Sequence, residues 1–170
     1  MPVLHFAWLQ GVGYYDTINI YVGSWEVNNM VMVSTRGRYA LRVMLDLAEH
    51  DHGEYISLMD IACRQGISEK YLESIIASLS RGGCLRAVRG RGGGYRLARQ
   101  PEEYTVGEIL RLTENALAPV ACLENGAEPC ERADQCRTRP VWLRLQELIG
   151  DYLDSVTLAD LMKQPEQQQD

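Results

Sequence analysis

No lysine or arginine stands before Arg36. Secretory and mitochondrial leaders need early positive charge, so residues 1–31 are expected to be neither. No run approaches the roughly 20 apolar residues of a membrane span, and no membrane partner is expected. Nucleotide loops are missing as well. The glycines at 90–94 lack the Lys-Ser/Thr of a phosphate loop, and Tyr95 stands where a dinucleotide loop needs its third glycine. His5, His50 and His52 lie near no nucleophile in the sequence, so no enzyme is expected. Acids are absent between Arg81 and Arg99, where six arginines (81, 86, 89, 91, 96, 99) follow one another.

What is present is unevenly spread. The formal charge of −6 argues at first against nucleic acid, but its distribution reverses that. Residues 32–100 hold 11 basic and 7 acidic side chains, whereas residues 101–170 hold 6 and 14. A basic front joined to an acidic back provides one surface for phosphate and another for something else. Five cysteines without an export signal point to a reducing cytoplasm, with thiols kept for metal or redox chemistry.

The hydrophobic period becomes helical from Arg38, with Ala40, Leu41, Met44, Leu45, Leu47 and Ala48 on one face. Ser57-Leu-Met-Asp60 is a capping-box pattern opening a short helix, Leu58–Gln65. Gly66-Ile67 makes a turn, and Ser68 caps the next helix. There Leu72, Ile75, Ile76 and Leu79 face inward, leaving Lys70, Glu73, Ser74 and Ala77 outward. Leu85–Arg89 and Tyr95–Ala98 read as short strands around a glycine-rich tip bearing Arg91. Thr105-Val-Gly-Glu108 opens a helix to about Glu114. Val141, Leu145, Leu148, Tyr152 and Val156 mark a long amphipathic helix, and Thr157-Leu-Ala-Asp160 caps a final turn. The expected class is mainly α with a small β-hairpin wing.

Helix, turn, helix and basic hairpin is winged-helix order, in which the second helix presents side chains to base edges in the major groove. Glu73 can accept from a cytosine amine, and Lys70 can meet guanine or phosphate. The alternative is a solvated hairpin, but six cations without counter-charge repel one another and call for a polyanion. The long stretch 115–140 lacks any period and carries Cys122, Cys130 and Cys136, spaced C-x7-C-x5-C. Soft thiolates at such spacing can wrap one small centre: an iron–sulfur cluster, zinc or copper. A closed zinc site wants a fourth Cys or His, and none follows Cys84 apart from these three, which favours a cluster. Free or disulfide-forming thiols are the other reading. Cys63 reads as a packed helix residue and Cys84 as a turn residue.

From Ser34 to about Met162 the sequence resembles the IscR-type family of winged helix-turn-helix transcriptional regulators, which includes the NsrR, RirA and CymR types. The matching stretches are STRGRYALRVMLDLA at 34–48, ISEKYLE at 67–73, VRGRGGGYRL at 88–97, TVGEIL at 105–110 and CLENGAEPCERADQCRTRPVW at 122–142. The resemblance implies a cytoplasmic homodimer crossed through the long C-terminal helix, bound to double-stranded operator DNA. It places Ser68, Lys70, Tyr71, Glu73, Ser74, Arg89 and Arg91 at the DNA, with Glu73 selecting a base and Arg89 on the wing. It makes Cys122, Cys130 and Cys136 the ligands of a [2Fe-2S] or [4Fe-4S] cluster. Arg139 stands where IscR supplies a histidine ligand, and Arg38 where NsrR supplies an acid; the x7 spacing is closer to RirA. The expected protein is a regulator, a repressor, that responds to its cluster. The alternative is a clusterless, thiol- or partner-controlled regulator of the CymR kind, whose members lack the triple cysteine. The expected organisation is an extension at 1–30 that need not be native, a DNA-binding domain at 31–114, a cysteine loop at 115–140, a dimerisation helix and final turn at 141–163, and a tail at 164–170.

Overall fold

Serine and threonine hydroxyls, rather than the apolar period, set where five of the six α-helices among the described residues begin. A computed structural model describes residues 33–114, 117–128 and 130–163; the expected extension at 1–30 and tail at 164–170 lie outside the described residues. The first helix, α1 (Thr35–Glu49), starts three residues before the apolar pattern does, because the Ser34 hydroxyl accepts the free N–H groups of Arg36 and Gly37. Helix α2 (Leu58–Gln65) has its expected bounds, with Ser57 accepting from the Asp60 N–H. Gly66 closes it in the left-handed conformation (φ 64°), which a side chain would disfavour. Ser68 then caps α3 (Glu69–Arg81) by accepting from Tyr71 N–H.

Strands β1 (Leu85–Val88) and β2 (Gly94–Leu97) pair antiparallel, with Leu85 opposite Leu97 and Arg86 opposite Arg96. Both lie within a residue of their expected bounds. A third stretch joins them, since Ile56 and Tyr95 exchange both backbone hydrogen bonds (3.0 and 2.8 Å). That close pairing needs Gly94, where a Cβ would stand 2.2 Å from the Ile56 carbonyl oxygen. Helix α4 (Val106–Arg111) is shorter than its expected run to Glu114. Thr105 accepts from Glu108 N–H, but the Glu108 carboxylate turns to Arg99 instead of completing the capping box.

The core lies where α1, α2, α3 and the hairpin converge. Ala40, Val43, Met44, Leu47, Ile61, Leu72, Ile75 and Leu79 are buried there. Tyr104 is fully buried, donating its hydroxyl to the Cys84 carbonyl (2.8 Å) and accepting from Ala98 and Arg99 N–H (3.0 and 2.8 Å). The two outer cysteines reverse their expected roles. Cys63 is exposed on α2, whereas Cys84 is fully buried and burial pushes its thiol up. Cys63 falls on the face opposite Ile61, and Cys84 enters the core as the chain turns from α3 into β1.

The long helix α5 (Arg139–Ser155) behaves differently, for none of its residues is buried. Its far end is pinned: Val106 N–H donates to Val156 O and Leu158 N–H to Tyr104 O, both 2.9 Å. The last helix, α6 (Leu158–Met162), then carries Leu158 into the core beside α1, under a complete Thr157–Asp160 capping box. Among the described residues, no helix is long and apolar enough to cross a membrane.

Candidate nucleic-acid interface and cysteine cavity

The 3.6-residue period of α3 sorts its side chains. Leu72, Ile75, Ile76 and Leu79 are buried, while Ser68, Lys70, Tyr71, Glu73 and Ala77 are exposed and Ser74 is half-buried. Tyr71 is held edge-on against Tyr39 of α1, ring centroids 5.9 Å apart, and Tyr39 lies under the Arg42 guanidinium at 5.2 Å. Arg42 is itself fixed by Gln65, donating to its side chain and its carbonyl. The aromatic ring offered by the first turn of α3 is therefore supported from behind.

Support for the helix pair comes from an ion cluster that the apolar period does not reveal. Asp46, on the buried face of α1 and 1% exposed, accepts two bonds from Arg64 (2.9 and 2.7 Å) and one from Gln65 (2.8 Å). Burial alone would raise its pKa. The hydrogen bonds of Arg64 and Gln65, with the charges of Arg64 and His50, outweigh burial and hold the carboxyl below its ordinary value.

The six arginines of the hairpin are not equivalent. Arg99 pairs with Glu108 of α4 and stacks on Tyr104, and Arg96 stacks on Tyr55 at 5.2 Å. Arg81 donates to Ser78. Arg86, Arg89 and Arg91 are exposed, and none of them has an acidic partner within ion-pair distance among the described residues. Arg86 stands directly opposite Arg96 across the strands, an arrangement unfavourable in itself and relieved by a polyanion. The tip keeps Gly90 and Gly92 at positive φ (99° and 79°), so Arg91 projects from a turn whose backbone conformation other residues rarely adopt.

The three loop cysteines come together. Cys122, Cys130 and Cys136 all line one cavity of about 410 Å³, together with Glu124, Glu128, Arg139 and Trp142. Cys136 precedes α5, where hydrogen bonds from the Thr138 hydroxyl and backbone, then from Arg139, hold its thiol below the usual range. Among the described residues, no three Cys, His, Asp or Glu side chains converge tightly enough to enclose a metal ion. The thiols share a cavity, not a closed ligand shell. As a donor set, three thiolates with nearby carboxylates suit an iron–sulfur cluster and disfavour hard cations.

Comparison with known proteins agrees with this architecture. A family model described as Rrf2, iron-dependent transcriptional regulator, matches residues 33–164. The HTH-type transcriptional regulator IscR of Erwinia tasmaniensis is 37% identical over 134 residues, spanning 79% of this chain and 80% of that protein. The IscR of Aliivibrio salmonicida is 38% identical over 137 residues, 81% and 80% of the two. Among solved structures, T. potens IscR is 40% identical with a TM-score of 0.62, over 81% of this chain and 90% of that one. CymR, the global cysteine regulator of B. subtilis, is 36% identical with a TM-score of 0.62, over 76% and 95%. These relatives are transcriptional regulators and not enzymes, and their mainly helical fold with a two-stranded wing is the fold described above. With its helix-turn-helix, its arginine wing and this extent of likeness, the chain belongs to the Rrf2 family of DNA-binding transcriptional regulators.

Proposed function

We propose that this protein is a cytoplasmic repressor that binds operator DNA as a homodimer and whose affinity follows an iron–sulfur cluster held by Cys122, Cys130 and Cys136. The observation that carries the reading is the single cavity onto which all three thiols open. The names of the IscR relatives and the iron-dependent description of the family support it. When bound, a [2Fe-2S] or [4Fe-4S] cluster supplies redox- and ligand-sensitive iron. The chain's own residues do the rest. Glu124 and Glu128, which line the same cavity, are the available oxygen donors where Arg139, a guanidinium with donors and no acceptor, cannot ligate.

At the DNA, α3 enters the major groove, with Glu73 reading a base and Lys70, Tyr71, Ser68 and Ser74 fixing its approach. Arg89 and Arg91 of the wing reach into the adjacent narrow groove or its phosphates. The dimer forms through α5, whose Val141, Leu145, Leu148 and Tyr152 are 60%, 38%, 49% and 68% exposed in the single chain. An apolar stripe of that length is typical of an interface. Two-fold symmetry then sets two α3 helices against two half-sites.

Anaerobic purification with iron and acid-labile sulfide analysis tests the cluster. Brown protein holding both is expected. Changing Cys122, Cys130 or Cys136 to Ala removes most of the iron, and Cys63→Ala does not. Stoichiometric zinc without sulfide would sink the reading. The second reading, a clusterless regulator of the CymR kind, draws on the CymR likeness. It predicts iron-free protein whose DNA binding responds to thiol oxidants.

A further inference from the structure

A chain of hydrogen bonds leads from the edge of the cysteine loop to the recognition helix. Glu114 is the last residue before the loop, and its Oε1 accepts from both the Ser34 N–H (3.1 Å) and the Ser34 hydroxyl (2.9 Å). The Ser34 hydroxyl oxygen in turn caps α1, accepting from Arg36 N–H (3.1 Å) and Gly37 N–H (3.2 Å). From that first turn the Arg36 guanidinium crosses to α3, donating through Nη2 to the Ser74 carbonyl and to the Ser78 hydroxyl, both 2.8 Å. Ser78 is buried, and the Ser74 hydroxyl bonds back to the Tyr71 carbonyl (2.8 Å). Arg36 thus grips α3 at Ser74 and Ser78, the turn next to the one that carries Tyr71 and Glu73.

Two features separate this chain from ordinary packing. Among the described residues, Arg36 Nε is buried without a hydrogen-bond partner, so Nη2 alone carries the grip on α3. Gly37 is also tailored to the carboxylate, for a Cβ there would stand 2.0 Å from Glu114 Oε1. Glycine inside a helix is itself unfavourable, and here it leaves room for Glu114.

We infer that Glu114, acting through Ser34 and Arg36, is a positioning residue that sets α3 for its operator and passes the state of the cysteine loop to it. The inference rests on the loop's proposed sensing role for its second half only. A change at the cysteine loop acts on Glu114, the described residue at its edge. Loss of its carboxylate from Ser34 loosens the first turn of α1, and Arg36 then no longer holds Ser74 and Ser78 in place.

The test uses the full chain, isolated anaerobically, and two DNA probes. One is a duplex selected by the wild type from random sequences, and the other is a scrambled duplex of equal length and composition. Glu114→Ala is expected to lower the ratio of selected to scrambled affinity about tenfold, the scale of one lost charge-assisted hydrogen bond. Gly37→Ala should copy it by displacing the carboxylate, since its Cβ would meet Glu114 Oε1 at 2.0 Å. Glu114→Gln keeps the acceptor oxygen and should stay within about twofold of the wild type. A wild-type ratio in Glu114→Ala, or a loss in Glu114→Gln equal to that in Glu114→Ala, overturns the positioning role. For the coupling, Cys136→Ala should change the ratio in the wild type and not in Glu114→Ala, and equal changes in both overturn it. Should Cys136→Ala leave the wild-type ratio unchanged, the sensing reading fails with the coupling, and the Glu114 and Gly37 variants still decide the positioning role separately.

Discussion

Residues 33–114 and residues 117–155 are built on different principles. The first stretch buries its apolar residues, and side-chain bonds such as Asp46–Arg64, Tyr104–Cys84 and Arg99–Glu108 tie its elements across the sequence. In the second, no described residue of the loop or of α5 is buried. Among the described residues, every hydrogen bond made by residues 117–138 reaches no more than four positions along the chain. One half satisfies itself. The other leaves apolar side chains and thiols open to solvent in the single chain, and these are the groups to which the proposed dimer contact and cluster are assigned.

The sharpest way to break that contrast is to charge α5. If α5 forms the proposed dimer contact, Leu148→Asp is expected to give monomers and weaken operator binding about 100-fold, the scale of one interface hot spot. Sedimentation and gel shift read the two effects, and the core of residues 33–114 should stay folded. A variant that remains dimeric would show that the exposed stripe has another use.

The complementary change strikes the self-sufficient half. Asp46→Ala leaves Arg64 and Gln65 without their acceptor and should cost about 2–4 kcal/mol in urea unfolding. Because the folded Asp46 carboxyl titrates below its ordinary value, its stabilisation is fully present above the unfolded carboxylate range, about 3.9. It is lost as pH falls from there through the folded value. The variant should show a flatter acid limb than the wild type, and parallel limbs would mean the cluster around Asp46 is not what acid removes.

Within the DNA-reading half, Glu73→Ala should relax preference at one base position by about 1–3 kcal/mol, seen by binding selection, with little change in salt dependence. The smallest effect belongs to the wing. Arg91→Ala should reduce the slope of log affinity against log salt by about 0.9, one phosphate's share, at nearly unchanged sequence preference. An unaltered slope would remove the wing tip from the phosphate backbone.

The sequence by itself determined the helix-turn-helix and the wing, because local signals agree there. Ser57, Ser68, Thr105 and Thr157 cap where their spacing says, and the inward residues of α3 repeat with the helical period. The C-x7-C-x5-C spacing likewise singled out the thiols that share a cavity. What only the tertiary structure decided involves residues far apart in the chain that carry no periodic signal. Asp46 on a buried helix face, Glu108 turned to Arg99, and Glu114 seated against Gly37 and Ser34 are polar side chains whose partners lie 9 to 80 positions away. Cys63 and Cys84 exchanged their expected environments for the same reason. Burial of a single residue at a chain reversal is set by which elements meet there, and hydrophobic periodicity encodes faces of elements, not the meetings between them.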